Sequence, residues 1–199
     1  MQLRNTQTGY GTVAIAFHWT MAVLVAGLFI LGKYMSGLEP TDPQTFALYQ
    51  WHKSFGFVVL ALAGLRLVWK AVNPAPKLPE GTPLLLRLAA ALGHAGLYAV
   101  LLALPLSGWL MVSSSPWGIP TVLFNTLPVP HLPVPAELGT LAQAEATLKQ
   151  VHEALGLFLL LLLAVHVAAA LKHHFYDRDT VLTRMLSTRP ARQDAETAE

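Results

Sequence analysis

Four long apolar runs alternate along the chain with polar or proline-rich stretches. After a polar start over Met1–Thr12, with Arg4, Asn5 and Gln7, the first run covers Val13–Leu31 and carries His18 beside Trp19. Gly32–Gln50 reads as a short loop, because Pro40, Asp42 and Pro43 break a helix and initiate a turn. The second run, from Trp51 to about Val72, holds His52 at one end and Arg66 and Lys70 near the other. Four prolines within Asn73–Pro83 end it. The third, Leu84–Val112, contains His94 and a Pro105 expected to kink the helix without ending it. Ser113–Thr147 is the longest connection, with Pro116, Pro120, Pro128, Pro130, Pro133 and Pro135, and a short surface helix is expected over Pro135–Lys149. The fourth run, Val151–His174, starts with His152 and has His166 near its end. About 20 apolar residues cross a bilayer, so each run predicts a membrane-spanning helix.

Composition agrees with that pattern. The 199 residues are 54% hydrophobic and 12% charged, which marks an integral membrane protein. The expected fold class is therefore all-α, a four-helix transmembrane bundle over residues 1–187, with a disordered tail over 188–199. The first run is too long for a cleavable signal and no cleavage region follows it, so it is expected to remain as a helix. There is no cysteine. That excludes disulfides, iron–sulfur ligation and haem attached through cysteine, and leaves the eight histidines as the obvious metal ligands.

The net charge of +2 does not point to nucleic acid, because the charges sit at the ends of the apolar runs. With four spans, Arg4, Arg66, Lys70, Lys77, Arg87, Lys172, Arg178, Arg184, Arg189 and Arg192 fall on the side of the termini, and only Lys33, Lys53 and Lys149 on the other. The excess of positive residues predicts cytoplasmic termini and a proline-rich loop outside.

Histidines in hydrocarbon are costly unless bonded or bound to a metal, so they are candidates for a functional site. In the fourth helix, fourteen residues separate His152 from His166; this is close to four turns, so the rings stand about 40° apart around the axis and roughly 21 Å along it. The predicted topology puts His18, His94 and His166 at the inner level and His52 and His152 at the outer level. Bis-histidine ligation of haem b needs two imidazoles facing each other from different helices of a bundle. His52 with His152 is the outer pair; at the inner level His18 and His94 compete equally as partner to His166. With no carboxylate inside the membrane, haem is a better reading than a proton relay.

A flat macrocycle needs room. Gly56 and Gly156 each follow an outer histidine by four residues, giving each a side-chain-free patch on its own helix face, although glycines also serve close helix packing. Arg66 repeats the fourteen-residue spacing after His52. It is expected to face the inner level, where a haem propionate would neutralise it; the plainer alternative is a positive-inside anchor.

These residues carry a family resemblance over nearly the whole chain up to the tail. The FHW around His18, the HKSFG from His52, the LGH ending at His94, the ALPLSGWLM after it, and the HE…HVAAALKHH of the fourth helix resemble, in order, the bacterial cytochrome b561 family. That family is related to the haem b subunits of hydrogenases and formate dehydrogenases. The resemblance implies two b haems, with His18 and His166 holding the inner one and His52 and His152 the outer one, and so favours His18 over His94. The likeness is to the superoxide oxidase type. It implies an oxidoreductase of a bacterial inner membrane that takes electrons from superoxide outside and passes them to ubiquinone.

Superoxide is an anion, so a positive approach would speed its encounter. Lys53 and Lys149 stand beside the outer histidines and are candidates for steering it, with Glu153 opposing them and interfacial anchoring as the alternative. The resemblance further implies that His173 marks a quinone site, where an imidazole could bond a carbonyl or deliver a proton; otherwise it is a histidine at a helix C-terminus. His131, in the outer loop, is expected to be solvated. The main rival is an electron-transfer subunit fed by a partner dehydrogenase or hydrogenase, and a more distant one is a transporter or assembly protein without cofactor. Besides membrane lipid, superoxide and ubiquinone are the expected partners.

Overall fold

The computed structural model describes residues 2–79 and 81–188. The tail expected over 188–199 lies outside the described residues except for Thr188. Four long helices make up the fold: α1 (Thr12–Met35), α2 (Pro43–Val72), α3 (Leu84–Ser113) and α4 (Leu141–Phe175). All four are long and apolar enough to cross a membrane, and many of their large apolar side chains face outward, as Val23, Ile30, Leu92 and Val165 do. In lipid such outward faces cost nothing, while the backbone must satisfy its own hydrogen bonds, which a helix does.

Capping residues set two helix starts that differ from the sequence reading. Asp42 accepts a bond from the Gln44 amide at 2.8 Å and Pro43 takes the first helical position. The pair that reads as a turn therefore begins α2 eight residues before Trp51. At α4, Thr140 and Gln143 form a reciprocal capping box. The surface helix expected over 135–149 is thus not separate: after a single 3₁₀ turn at Ala136–Leu138, residues 141–149 are the first turns of α4 itself. Its 35 residues span about 52 Å, more than the roughly 30 Å hydrocarbon layer. α3 runs without a break through Pro105.

Close backbone packing joins α1 to α2, α2 to α3 and α3 to α4. α4 meets α1 where the His166 ring faces that of His18 and where the Phe29 ring stands over Gly156. Val25, Val59, Val100 and Leu159, one from each helix, form the buried core, with Leu24, Leu28, Phe29, Leu97 and Leu162 against it.

Connecting segments close both ends. The long loop contains an antiparallel hairpin, β1 (Thr121–Leu123) with β2 (Leu127–Val129), turned at Phe124 and Asn125, both at positive φ. α2 and α3 hold it down. Gln50 donates to the Pro120 carbonyl and accepts from the Val122 amide, Ser54 accepts from Phe124, and Trp109 donates to Pro130. At the other end, Asn5 bonds the carbonyls of Asn73 and Pro74, Arg184 bonds that of Lys77, and Trp19 bonds that of Met185. The start of the chain, the α2–α3 loop and the segment after α4 are thereby tied together. Gly11 lies in this knot, where a Cβ would collide with the backbone of Leu3 and Arg4.

Candidate haem sites in the bundle

At the hairpin end, α2 and α4 bring His52 and His152 together with ring centres 6.4 Å apart and planes at 74°. The His52 Nδ1 atom is buried with no hydrogen-bond partner. His152 is held by α3: its Nδ1 lies 3.1 Å from the Leu104 carbonyl and 3.0 Å from the Ser107 hydroxyl. A carbonyl only accepts, and the Ser107 hydroxyl already donates to Leu104, so Nδ1 carries the proton and the Nε2 lone pair is free. Two facing glycines make room for these rings. A Cβ at Gly108 would stand 3.0 Å from His152 Cε1, and one at Gly32 would stand 3.2 Å from His52 Cε1.

At the terminal end, His166 sits between two other histidines. Its ring centre is 6.1 Å from that of His18 and 5.5 Å from that of His94. Arg66 reaches this group and donates to His18 Nδ1 at 3.0 Å, while His94 Nδ1 bonds the Ala90 carbonyl of its own helix at 2.7 Å. Both levels fit a shared metal ion. Two imidazoles on one ion, at about 2 Å each, have ring centres about 6 Å apart. At the terminal end the spacing matches His18 better, whereas the free Nε2 implied by the Ala90 bond suits His94; the geometry brings both candidates to His166. The orphaned His52 nitrogen and the open space beside Gly56, where a Cβ would meet nothing within 4 Å, also fit a group of haem size. Gly156 is different: it is buried, with Phe29 at 3.7 Å from a Cβ there.

The remaining candidates are placed as follows. Lys53 is half-buried and donates to the Pro120 carbonyl at 3.1 Å, so it helps to hold the hairpin. Lys149 and Glu153 are exposed near the start of α4, and His131 is exposed in the loop. His173 is half-buried and donates from Nδ1 to Asp179 at 2.5 Å, with Asp177 at 3.4 Å. These three residues could hold a metal ion, but the Lys172 ammonium already bonds both oxygens of Asp177 at 2.7 Å.

Several residues of these sites escape a reading by spacing: Ser107, Gly32, Gly108 and Asp179. The two glycines act on histidines of other helices, and Asp179 lies beyond a helix end where the chain folds back. Only ALPLSGWLM, which contains Ser107 and Gly108, carried a signal.

Comparison with known proteins is consistent over most of the chain. Residues 9–188 match the family described as prokaryotic cytochrome b561. Cytochrome b561 homolog 2 of Escherichia coli K12 is 36% identical over 187 residues, covering 94% of this chain and 95% of the relative. Cytochrome b561 homolog 1 of the same strain is 28% identical, covering 90% and 98%. The "Probable superoxide oxidase CybB" of Yersinia pestis is 29% identical, covering 89% and 95%. With its four apolar helices and a histidine pair at either end of the bundle, the chain belongs to the prokaryotic cytochrome b561 family, multi-pass membrane proteins for which haem b is the implied cofactor.

Proposed function

We propose that the protein is a di-haem oxidoreductase of a bacterial inner membrane that moves electrons from superoxide on the outer side to ubiquinone. The observation that carries this reading is the presence of two histidine groups of haem-ligand spacing, at 6.4 Å and 6.1 Å, joined by one helix and set fourteen residues apart along it. His52 and His152 would hold the outer haem, and His18 and His166 the inner one. Haem b, when bound, supplies a one-electron iron couple at each level.

The chain's own residues do the rest. α4 fixes the separation of the two levels, roughly 21 Å along its axis, and the apolar layer between them keeps water out of the path. The excess of lysine and arginine at the terminal end supports cytoplasmic termini and puts the hairpin outside. Lys149, exposed beside His152, is the better placed lysine to attract an anion from that side, because Lys53 is engaged with the hairpin. At the cytoplasmic end His173 would bond the quinone. Two superoxide anions give up one electron each and leave as dioxygen; ubiquinone takes those two electrons and two protons to become ubiquinol. The choice of superoxide is supported by the Yersinia pestis relative.

A second reading, a haem b subunit that accepts electrons from a partner dehydrogenase, is favoured by the apolar residues exposed on and beside the hairpin, Trp117, Ile119 and Leu127. One experiment separates the two. Purified protein in detergent, given a superoxide source and a short-chain ubiquinone without any partner, is expected to show haem reduction followed by ubiquinol formation, both abolished by superoxide dismutase. Haem that stays oxidised under superoxide would transfer the case to the partner subunit.

A further inference from the structure

The last turns of α2 carry two cations that have no carboxylate partner and one buried donor that has no acceptor. Arg66 lies six residues inside the end of the helix and is half-buried; its guanidinium contacts His18 Nδ1, the Met21 sulfur at 3.9 Å and the ring of Tyr98 at 5.6 Å. Lys70 follows one turn later and stands over the same Tyr98 ring, 4.9 Å from its centre. The Trp69 indole N–H between them is buried with no hydrogen-bond partner. On a helix these three positions share an arc of about 100°. Among the described residues no carboxylate pairs with either cation; the ion pairs there all belong to Lys172 and His173.

Two like charges over one aromatic ring repel each other, and a buried donor without an acceptor is costly. An anion set among them would relieve both costs. It would also resolve a conflict at His18. An imidazole that binds a metal through Nε2 carries its proton on Nδ1, yet here Arg66 donates to that Nδ1. The guanidinium must find another acceptor before His18 can serve as a ligand.

We propose that Arg66, Trp69, Lys70 and Tyr98 form an anion site that receives the propionate carboxylates of the inner haem, and that filling it draws Arg66 away from His18. The proposal rests on the di-haem reading above and adds Trp69, Lys70 and Tyr98 to the residues that serve that haem. A cation beside the propionates favours the reduced, more negative iron, so its removal shifts the equilibrium toward the oxidised form.

The test uses the purified holoprotein and its two midpoint potentials, with the inner haem identified as the one lost in His166→Ala. Lys70 is exposed, so its replacement leaves the fold intact. Lys70→Met is expected to keep both haems and to shift the reduction equilibrium of the inner one about three- to tenfold toward oxidised, which is about 30–60 mV for one electron. The outer haem should not move, and Lys70→Arg should restore the wild-type value. Unchanged potentials in Lys70→Met would overturn the proposal and return Lys70 to the role of an interfacial anchor. Unchanged potentials with a loss of co-purified phosphatidylglycerol would also overturn it, in favour of a lipid phosphate at the site. Wild-type protein without haem would remove the di-haem reading itself, a result distinct from either.

Discussion

Val59 of α2 and Leu159 of α4 belong to one buried cluster, and each lies midway along its helix between the two levels of the site. Val59 is seven residues past His52 and seven before Arg66; Leu159 is seven past His152 and seven before His166. Val25, seven past His18, joins them. The core of this protein is therefore a plug about 10 Å from either histidine level, which ties the stability of the bundle to the apolar layer that separates the two levels.

This arrangement predicts that damage to the plug is felt as stability and leaves haem ligation alone. Leu159 is 1% exposed, and truncating a buried leucine costs about 2–5 kcal/mol. Leu159→Ala should lower the thermal unfolding temperature clearly, while the purified protein retains two haems per chain at nearly wild-type potentials. Haem loss at normal thermal stability would contradict this division.

The facing glycines predict the opposite outcome. A valine at position 108 would press on His152 Cε1, already 3.0 Å from the first carbon added, and one at position 32 would press on His52 at 3.2 Å. Neither ring can retreat without leaving its partner. Gly108→Val and Gly32→Val should each reduce the haem content from two per chain to about one, whereas Ser107→Ala, which leaves His152 its bond to the Leu104 carbonyl, should keep both. Pyridine haemochrome assays decide the matter.

These contrasts show what the chain makes legible in one dimension. Four apolar runs, the fourteen-residue spacing and the polarity of the charges carry the four spans and the two levels of histidine, because helix periodicity acts within a single run. Asp42-Pro43 reads as a turn and Thr140 as part of a connection, since a capping residue looks like a loop residue until its helix is known. The hairpin was hidden by its prolines and by a turn that places Phe124, an unusual choice, in the left-handed region. Gly32, Gly108 and Asp179 act across helices or around a chain reversal, and no spacing within one run encodes such a contact.

At the terminal end, both His18 and His94 reach His166, and their variants should separate them. If His18 is the ligand and His94 is satisfied by Ala90, His18→Ala abolishes the low-temperature absorbance of one haem while His94→Ala preserves two haems with at most a small band shift. The reverse result would make the 5.5 Å pair of His94 and His166 the axial one.

Tyr10 lies before α1, beside Arg66, Tyr98 and Arg184, and burial pushes its pKa above the ordinary value of 10.0, with the two arginines pulling the other way. A phenol that prefers to stay neutral in the folded state contributes stability that is complete below the unfolded pKa. That contribution is lost as pH rises through the higher folded value. Thermal stability measured from pH 8 to about pH 11 should therefore fall more steeply for wild type than for Tyr10→Phe. Parallel curves would show that ionisation of Tyr10 does not matter to the knot at this end.

Asp179 offers the sharpest division of the two half-reactions. Its carboxylate accepts from His173 Nδ1 and also caps the Val181 amide at 2.9 Å, so it fixes both the ring of His173 and the chain that folds back beneath it. In the proposed function, superoxide delivers electrons at the far end, and only the quinone needs protons at this one. Asp179→Asn keeps the shape and an acceptor oxygen but removes the carboxylate charge beside the His173 ring. Ubiquinol formation should fall by about tenfold or more, within the usual range for proton transfer by a positioned side chain. Rapid haem reduction by superoxide should stay within about twofold of wild type, because the path from the outer pair does not include this residue. Equal losses in the two half-reactions would assign Asp179 to the fold alone and remove His173 from the quinone site.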